Sequence, residues 1–198
     1  MLRIDLKSVR AVLEAFIRDS LRKNGFEKAI LGLSGGLDSA VVLGLCRSAL
    51  GPENVLPVMM PYRLSASSSL EDARELCRQW GMESLVVEIS PMVDAYFERY
   101  PYQERLQVGN KCARERMSIL YDLSLTRKAM VVGTSNKSEI LMGYSTLWGD
   151  MAAAFQPLGD LYKTQVFALG RELGVGEAIL GKAPSADLWE NQTDEGEL

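Results

Sequence analysis

The stretch Gly32-Leu33-Ser34-Gly35-Gly36-Leu37-Asp38-Ser39 gathers glycines, hydroxyls and a carboxylate into one short run. Its first five residues fit G-x-S-x-G, the turn that presents a serine nucleophile between a strand and a helix. A serine hydroxyl attacks only when a neighbouring base takes its proton, and on that turn the base is histidine. The chain contains no histidine. A Ser-Lys pair would be the remaining form, and nothing around Ser34 suggests one. The same stretch can instead cradle phosphate. Gly35 and Gly36 allow backbone N–H groups to turn inward, Ser34 and Ser39 add hydroxyl donors, and a following helix directs its positive end at the same place. Asp38 would repel a bare phosphate, so it makes sense as a ligand of Mg²⁺, which bridges carboxylate and phosphate. The plain structural alternative is a serine-glycine turn with Asp38 as a helix cap. The stretch is neither a Walker A loop, since no Lys-Ser/Thr pair follows the glycines, nor a G-x-G-x-x-G fingerprint.

Composition narrows the chemistry further. The chain has 198 residues, 47% hydrophobic and 24% charged, which suits one globular domain with a sizeable core. A formal net charge of -4 argues against a nucleic-acid-binding surface. The three cysteines, Cys46, Cys77 and Cys112, are odd in number and far apart, so neither a disulfide framework nor a zinc site is expected, and a reducing cytoplasm is. Without histidine a metal must sit on oxygen ligands, which points to Mg²⁺ rather than Zn²⁺. The N-terminus lacks the long apolar run of a signal peptide or membrane span.

The elements that must position this loop follow from hydrophobic periodicity. Val9, Val12, Leu13, Phe16, Ile17 and Leu21 recur at helical spacing, with Gly25 as a stop. Ala29 to Leu33 reads as a buried strand, and Ala40 to Leu45 as the helix after the glycine loop. Val55 to Met60 is a second strand. Ser69 to Trp80 is a helix, with Ser68 and Glu71 at capping-box spacing. Leu85 to Ile89 is a third strand. Asp94 to Tyr100 is a short helix, and Cys112 to Leu125 a longer one. Ala129 to Gly133 is a fourth strand, followed by a helix start near Asn136 and a helix over Thr164 to Leu173. Residues 61–68 and 143–159 read as mobile loops. Continuous apolar strands alternating with helices predict an α/β fold: one doubly wound parallel sheet with helices on both faces and right-handed crossovers. Ligands in such sheets bind beyond the carboxyl ends of the strands, where GLSGGLDS sits.

The stretch resembles the SGGxDS loop of the ATP pyrophosphatases, which split ATP between its α- and β-phosphates and adenylate a substrate. Later blocks narrow the resemblance. Gly109-Asn110-Lys111-Cys112-Ala113-Arg114-Glu115-Arg116-Met117 resembles the GN-x-x-AR-x-RM segment of NAD synthetases. Gly133 to Glu139, Thr146 to Met151, Pro157 to Thr164 and Lys182 to Leu188 are similar to further segments of that family, in order. The resemblance implies an adenine nucleotide alpha hydrolase-like, Rossmann-like three-layer sandwich forming one NAD synthetase domain over residues 1–198, with the family's C-terminal segment absent. It implies a ligase that converts ATP, deamido-NAD and ammonia into NAD, AMP and pyrophosphate through an acyl adenylate.

Roles carried over by resemblance give Gly32, Leu33, Ser34, Gly35, Gly36, Leu37, Asp38, Ser39, Thr134, Lys163 and Ser185 to ATP. Asp38 and Glu139 go to Mg²⁺, and Asp38, Glu139 and Lys163 to catalysis. Arg114 and Asp150 go to deamido-NAD. Bland roles exist for three of them: Glu139 as a first-turn helix acid, Lys163 as a solvated charge, Arg114 in a surface ion pair. Two positions depart from the ammonia-dependent pattern T-K-[FY]-G-D-G-G-A-D, whose Lys and last Asp contact deamido-NAD. Leu147 and Ala154 stand there, and TLWGDM looks more like the synthetase domain of glutamine-dependent members. No glutaminase domain is expected before Met1, so free ammonia is the expected nitrogen donor, with a separate glutaminase as a possible partner. A homodimer is implied by the family, and Met117, Ile119, Leu120, Leu123 and Leu125 agree with an apolar interface helix, a pattern that a buried core helix shares. Cys112 lies beside Lys111 and Arg114, charges that would favour its thiolate, but no histidine exists to serve as its base.

Overall fold

The computed structural model describes residues 4–102 and 104–182. Helix α1 (Leu6–Lys23) precedes β1 (Lys28–Gly32), the glycine loop and α2 (Leu37–Leu50). Then come β2 (Val55–Met59), α3 (Ser67–Gln79), β3 (Leu85–Val86), α4 (Ser90–Arg99), α5 (Arg105–Arg127) and β4 (Ala129–Val131). Helices α6 (Lys137–Met142), α7 (Lys163–Glu172) and α8 (Glu177–Leu180) follow. Among the described residues the strands are parallel and ordered β3-β2-β1-β4. The chain steps outward from β1 to β3, then crosses back to place β4 on the other side of β1. The crevice at that reversal lies beyond the carboxyl ends of β1 and β4.

Alternation along the strands builds a core on each face. Ala29, Leu31, Val55 and Met59 face one core with Ile17, Leu43, Leu76 and Leu169. Ile30, Val58, Ala129 and Val131 face the other, with Val93, Val108, Met117 and Leu120 from α4 and α5. Each large aliphatic side chain so buried contributes roughly 1.5–3 kcal/mol relative to exposure. Helix α2 is buried along most of its length, from Leu37 to Cys46 with Asp38 the exception, as expected of a helix apolar on all sides. Helices α1 and α7 cover it. Pro57 sits inside β2 without breaking it. Met59 O accepts from Val87 N, so odd positions of β2 face β3, and β3 starts pairing only at Val58. No partner awaits an N–H at Pro57.

Several elements differ from the sequence expectation in extent. Helix α5 starts at Arg105, not Cys112, because Glu104 and Gln107 form a capping box ahead of it; Gly109 and Asn110 lie inside the helix. Helix α4 starts at Ser90. Helix α3 starts at Ser67, so Ser68 falls inside its first turn and the box with Glu71 does not form; the N-cap, Ala66, offers no side-chain bond. Strand β3 is two residues long, and the chain beyond it stays beside β2 through Val87 N to Met59 O (2.9 Å) and Ile89 N to Pro61 O (3.0 Å). Residues 143–159 are more than a loop. They carry a 3₁₀ turn at Asp150–Ala152 and a parallel bridge from Phe155 to Val132, with Ala154 N bonded to Val131 O (3.1 Å). No described helix is long and apolar enough to cross a membrane.

Candidate active site

The glycine loop is fixed by sterics before any ligand enters. Gly35 has φ +82°, and a Cβ there would lie 2.1 Å from the Ser69 carbonyl oxygen, so only glycine fits. Gly36 is the N-cap of α2 and gives no side-chain cap, and Asp38 at the second helical position does not cap either. The first-turn N–H groups of α2 therefore face the loop, the arrangement that binds anions at helix N-termini. Two serines brace the turn. Ser39 Oγ donates to Gly36 O (3.0 Å) and accepts from Ser34 N (3.2 Å), and Gly36 N donates to Ser34 Oγ (3.1 Å). The two hydroxyls lie 3.1 Å apart. Ser34 is exposed and Ser39 buried, so Ser34 can turn toward a ligand while Ser39 holds the backbone.

Asp38, Glu139 and Lys163 meet although they are far apart in sequence. Lys163 Nζ bonds Asp38 Oδ2, and Glu139 Oε1 lies 3.8 Å from the same ammonium. All three side chains are largely shielded, 22%, 15% and 25% exposed for Lys163, Asp38 and Glu139. The local causes are readable. Asp38 opens α2 at the end of β1, Glu139 opens α6 past the end of β4, and Lys163 opens α7 with its N–H donating to Ser138 Oγ (3.1 Å). Lys163 and Glu139 are thus neither a free surface charge nor a mere helix-end acid.

Asn136 organises the group, and sequence reasoning gave it no role. It is fully buried. Its Nδ2 donates to Asp38 Oδ1 (2.9 Å), its backbone N donates to Glu139 Oε2 (3.1 Å), and its Oδ1 accepts from Glu139 N (3.1 Å). One oxygen of each carboxylate is thereby locked while the other faces Lys163. The signal was present: Asn with Glu three residues later is a capping box, and it marks the start of α6. Two oxygen donors turned toward one positive charge fit a hard cation such as Mg²⁺, with phosphate oxygens and water completing its shell. Among the described residues no group of three or more His, Cys, Asp or Glu could hold a metal by itself.

Arg114, on α5, and Asp150, on the loop after α6, belong to a second group. Exposed Arg114 donates from Nε to Leu147 O (3.1 Å) rather than joining an ion pair. Asp150 Oδ1 accepts from Thr146 N (2.7 Å), and burial pushes its carboxyl above the usual aspartate range against the pull of backbone N–H donors. Thr146 Oγ1 donates to Asn110 Oδ1 (2.7 Å), and Gly149 is pressed against Ala113, so the loop hangs on α5. Gln156, also missed, couples the two groups: its Oε1 accepts from Ser135 N (3.0 Å) and its Nε2 donates to Asp150 O (3.1 Å). Gly133 leaves room for that amide, since a Cβ there would lie 2.1 Å from Gln156 Oε1. Thr134 is half-buried between them at the exit of β4. Ser185 lies outside the described residues.

Two sequence arguments fail here. Cys112 is buried, and desolvation raises its thiol pKa; Arg116, one helical turn on, and Lys111 oppose this, whereas Arg114 plays no part. The thiolate is disfavoured. Met117 and Leu120 are buried in the chain's own core, and Ile119 and Leu123 pack on it. Of the apolar residues proposed for an interface on α5, Leu125 alone is strongly exposed, at 81%.

Comparison with known proteins agrees with this geometry. The family model described as NAD synthase matches residues 9–198. An NH(3)-dependent NAD(+) synthetase from Trichlorobacter lovleyi is 53% identical over 197 residues, spanning 100% of this chain and 72% of that protein. The structure of an NMN synthetase from Francisella tularensis superposes with a TM-score of 0.94 at 36% identity, covering 98% of this chain and 82% of the other. An NH3-dependent NAD synthetase from Campylobacter jejuni, solved with a nitrate ion, gives 0.87 at 39% identity, covering 91% and 78%. The family model spans nearly the whole chain and the Trichlorobacter relative is 53% identical along it, so the chain belongs to the NAD synthase family.

Proposed function

We propose that this chain is an ammonia-dependent NAD synthetase, a ligase that amidates deamido-NAD at the expense of ATP and releases AMP and pyrophosphate. The observation that carries the reading is the convergence of Asp38 and Glu139 on Lys163 at the mouth of the glycine loop. ATP lies with its phosphates against residues 32–39, where the first-turn N–H groups of α2 and the Ser34 hydroxyl receive negative charge. Asp38 and Glu139 would hold Mg²⁺, which would supply positive charge to neutralise phosphate. Lys163 turns from Asp38 to the phosphates and stabilises the charge that builds as pyrophosphate leaves. Thr134 and Ser185 add contacts to ATP. The nicotinate carboxylate of deamido-NAD attacks the α-phosphorus to give an acyl adenylate. Ammonia then attacks the acyl carbon, and AMP departs with the former carboxylate oxygen. Arg114 and Asp150 position the acceptor on the neighbouring loop.

The same reading makes the protein a cytoplasmic homodimer that works without nucleic acid or membrane. Three free, buried cysteines agree with a reducing compartment. Cys46, Cys77 and Cys112 all have raised thiol pKa values and no histidine to act as base, so none can serve as a glutaminase nucleophile. The purified chain should make NAD and AMP in equal amounts from ATP, Mg²⁺, deamido-NAD and ammonium, and stay at background with glutamine. ADP release, or synthesis driven by glutamine, would refute the assignment. A second reading changes only the acceptor. Leu147 and Ala154 stand where the family carries a Lys and an Asp for deamido-NAD, and the Francisella NMN synthetase superposes closely. Offering nicotinate mononucleotide beside deamido-NAD decides between them by the ratio of kcat/KM values.

A further inference from the structure

One cation near the glycine loop has no part in the reaction as described. Lys182 follows Gly181, the residue that ends α8. Its Nζ lies 2.5 Å from Asp72 Oδ2 and 3.3 Å from Ser69 Oγ, both on the first two turns of α3. The pair is partly shielded, at 31% and 22% side-chain exposure, so solvent screens it less than a surface pair. Ser69 is itself buried, and its carbonyl oxygen is the atom that a Cβ on Gly35 would strike. Helix α3 lacks a side-chain cap of its own. Its start is held from outside, by a lysine 113 positions away in the chain, and that start is packed against the phosphate loop.

We propose that Lys182 is a positioning residue for ATP. By binding Asp72 and Ser69 it fixes the first turns of α3 against Gly35 and keeps the glycine loop in the shape that receives phosphate. The inference rests on the reading of that loop as the ATP site. N–H donors act on an anion through direction as much as distance, so a small shift of the loop weakens binding of the whole triphosphate. The acceptor loop hangs on α5 and Gln156 instead, so its affinity is not tied to Lys182.

The test uses full chains carrying Lys182→Met, Asp72→Asn, both together, and Lys182→Arg. Lys182→Met should raise the KM for ATP roughly tenfold while kcat and the KM for deamido-NAD change by no more than about twofold. Asp72→Asn should do the same, the double variant should be no worse than either single one, and Lys182→Arg should recover most of the ATP affinity. An unchanged ATP KM in Lys182→Met, additive losses in the double variant, or equal rises in both KM values would overturn the proposal. ATP binding by calorimetry, without acceptor, separates this from the functional reading. If the wild type makes no NAD, the function falls, and a tenfold weaker ATP affinity in Lys182→Met would still uphold the brace.

Discussion

The two halves of the site are built in opposite ways. Beside the glycine loop, Asp38, Asn136, Glu139 and Lys163 sit at the ends of rigid elements, and fully buried Asn136 locks one oxygen of each carboxylate. On the side proposed for the acceptor, Arg114 sits on α5 and Asp150 rides an irregular stretch suspended from that helix. There Leu147 and Trp148 are 66% and 73% exposed, and Trp148 holds a φ of +63° that costs a bulky side chain energy. Charge that must stabilise a transition state belongs on the first kind of support, because it cannot reorganise during the reaction. Recognition of a particular acceptor can sit on the second kind, where loop changes leave the fold intact. Leu147 and Ala154, the departures from the resembled pattern, both fall on the second kind.

The sharpest break in that comparison is Asp38→Asn. It keeps the bond to Asn136 within reach but removes the charge facing Lys163, so turnover should fall on the order of 10²-fold or more with little change in Tm. Near-normal turnover would remove Asp38 from the chemistry. Gly35→Ala comes next, because both φ and the Ser69 carbonyl oppose a Cβ. Urea unfolding should show a loss of about 2 kcal/mol or more, and a smaller loss would mean that α3 can yield.

Tyr62 anchors the chain after β2 and offers a pH-resolved check. It is 4% exposed, donates to Asp94 Oδ1 (2.7 Å), and burial together with that carboxylate pushes its pKa up to about 12. The unfolded phenol ionises near 10, so between about pH 10 and 12 the unfolded state loses a proton that the folded state keeps. Stability is complete below pH 10 and falls by ~1.4 kcal/mol per pH unit across that window from this group. Tyr62→Phe should flatten that part of the decline; an unchanged slope would show that the phenol titrates normally. The smallest effect belongs to the acceptor loop. Trp148→Gly should relieve the left-handed backbone and raise stability by ~1 kcal/mol, whereas a loss would show that the indole packs more than its exposure suggests.

Much of this contrast was legible before the fold. Ends of apolar strands mark the rim of a parallel sheet, so Asp38 and Glu139 could be placed near each other from periodicity and motif alone. Asn136 reads from sequence as a helix start and no more, because a buried amide joining two carboxylates has no signature beyond its cap spacing. Gln156 shows the same limit: its partners, Ser135 and Asp150, come together only when residues 143–159 fold back beside β4. Cys112 departs from expectation because burial outweighs charge: desolvation raises its thiol against the pull of Arg116 and Lys111, and burial is not visible in neighbours along the chain. The apolar residues of α5 looked like an interface because a core face and an interface face share one pattern.

The most direct test follows one oxygen atom. Deamido-NAD labelled with ¹⁸O in its nicotinate carboxylate is turned over with ATP, Mg²⁺ and ammonium, and the products are weighed by mass spectrometry. Attack of that carboxylate on the α-phosphorus places one labelled oxygen in AMP, with none in pyrophosphate and one left in the amide of NAD. Labelled orthophosphate, or AMP free of label, would show that ATP is cleaved elsewhere and that Asp38, Glu139 and Lys163 do not serve adenylation.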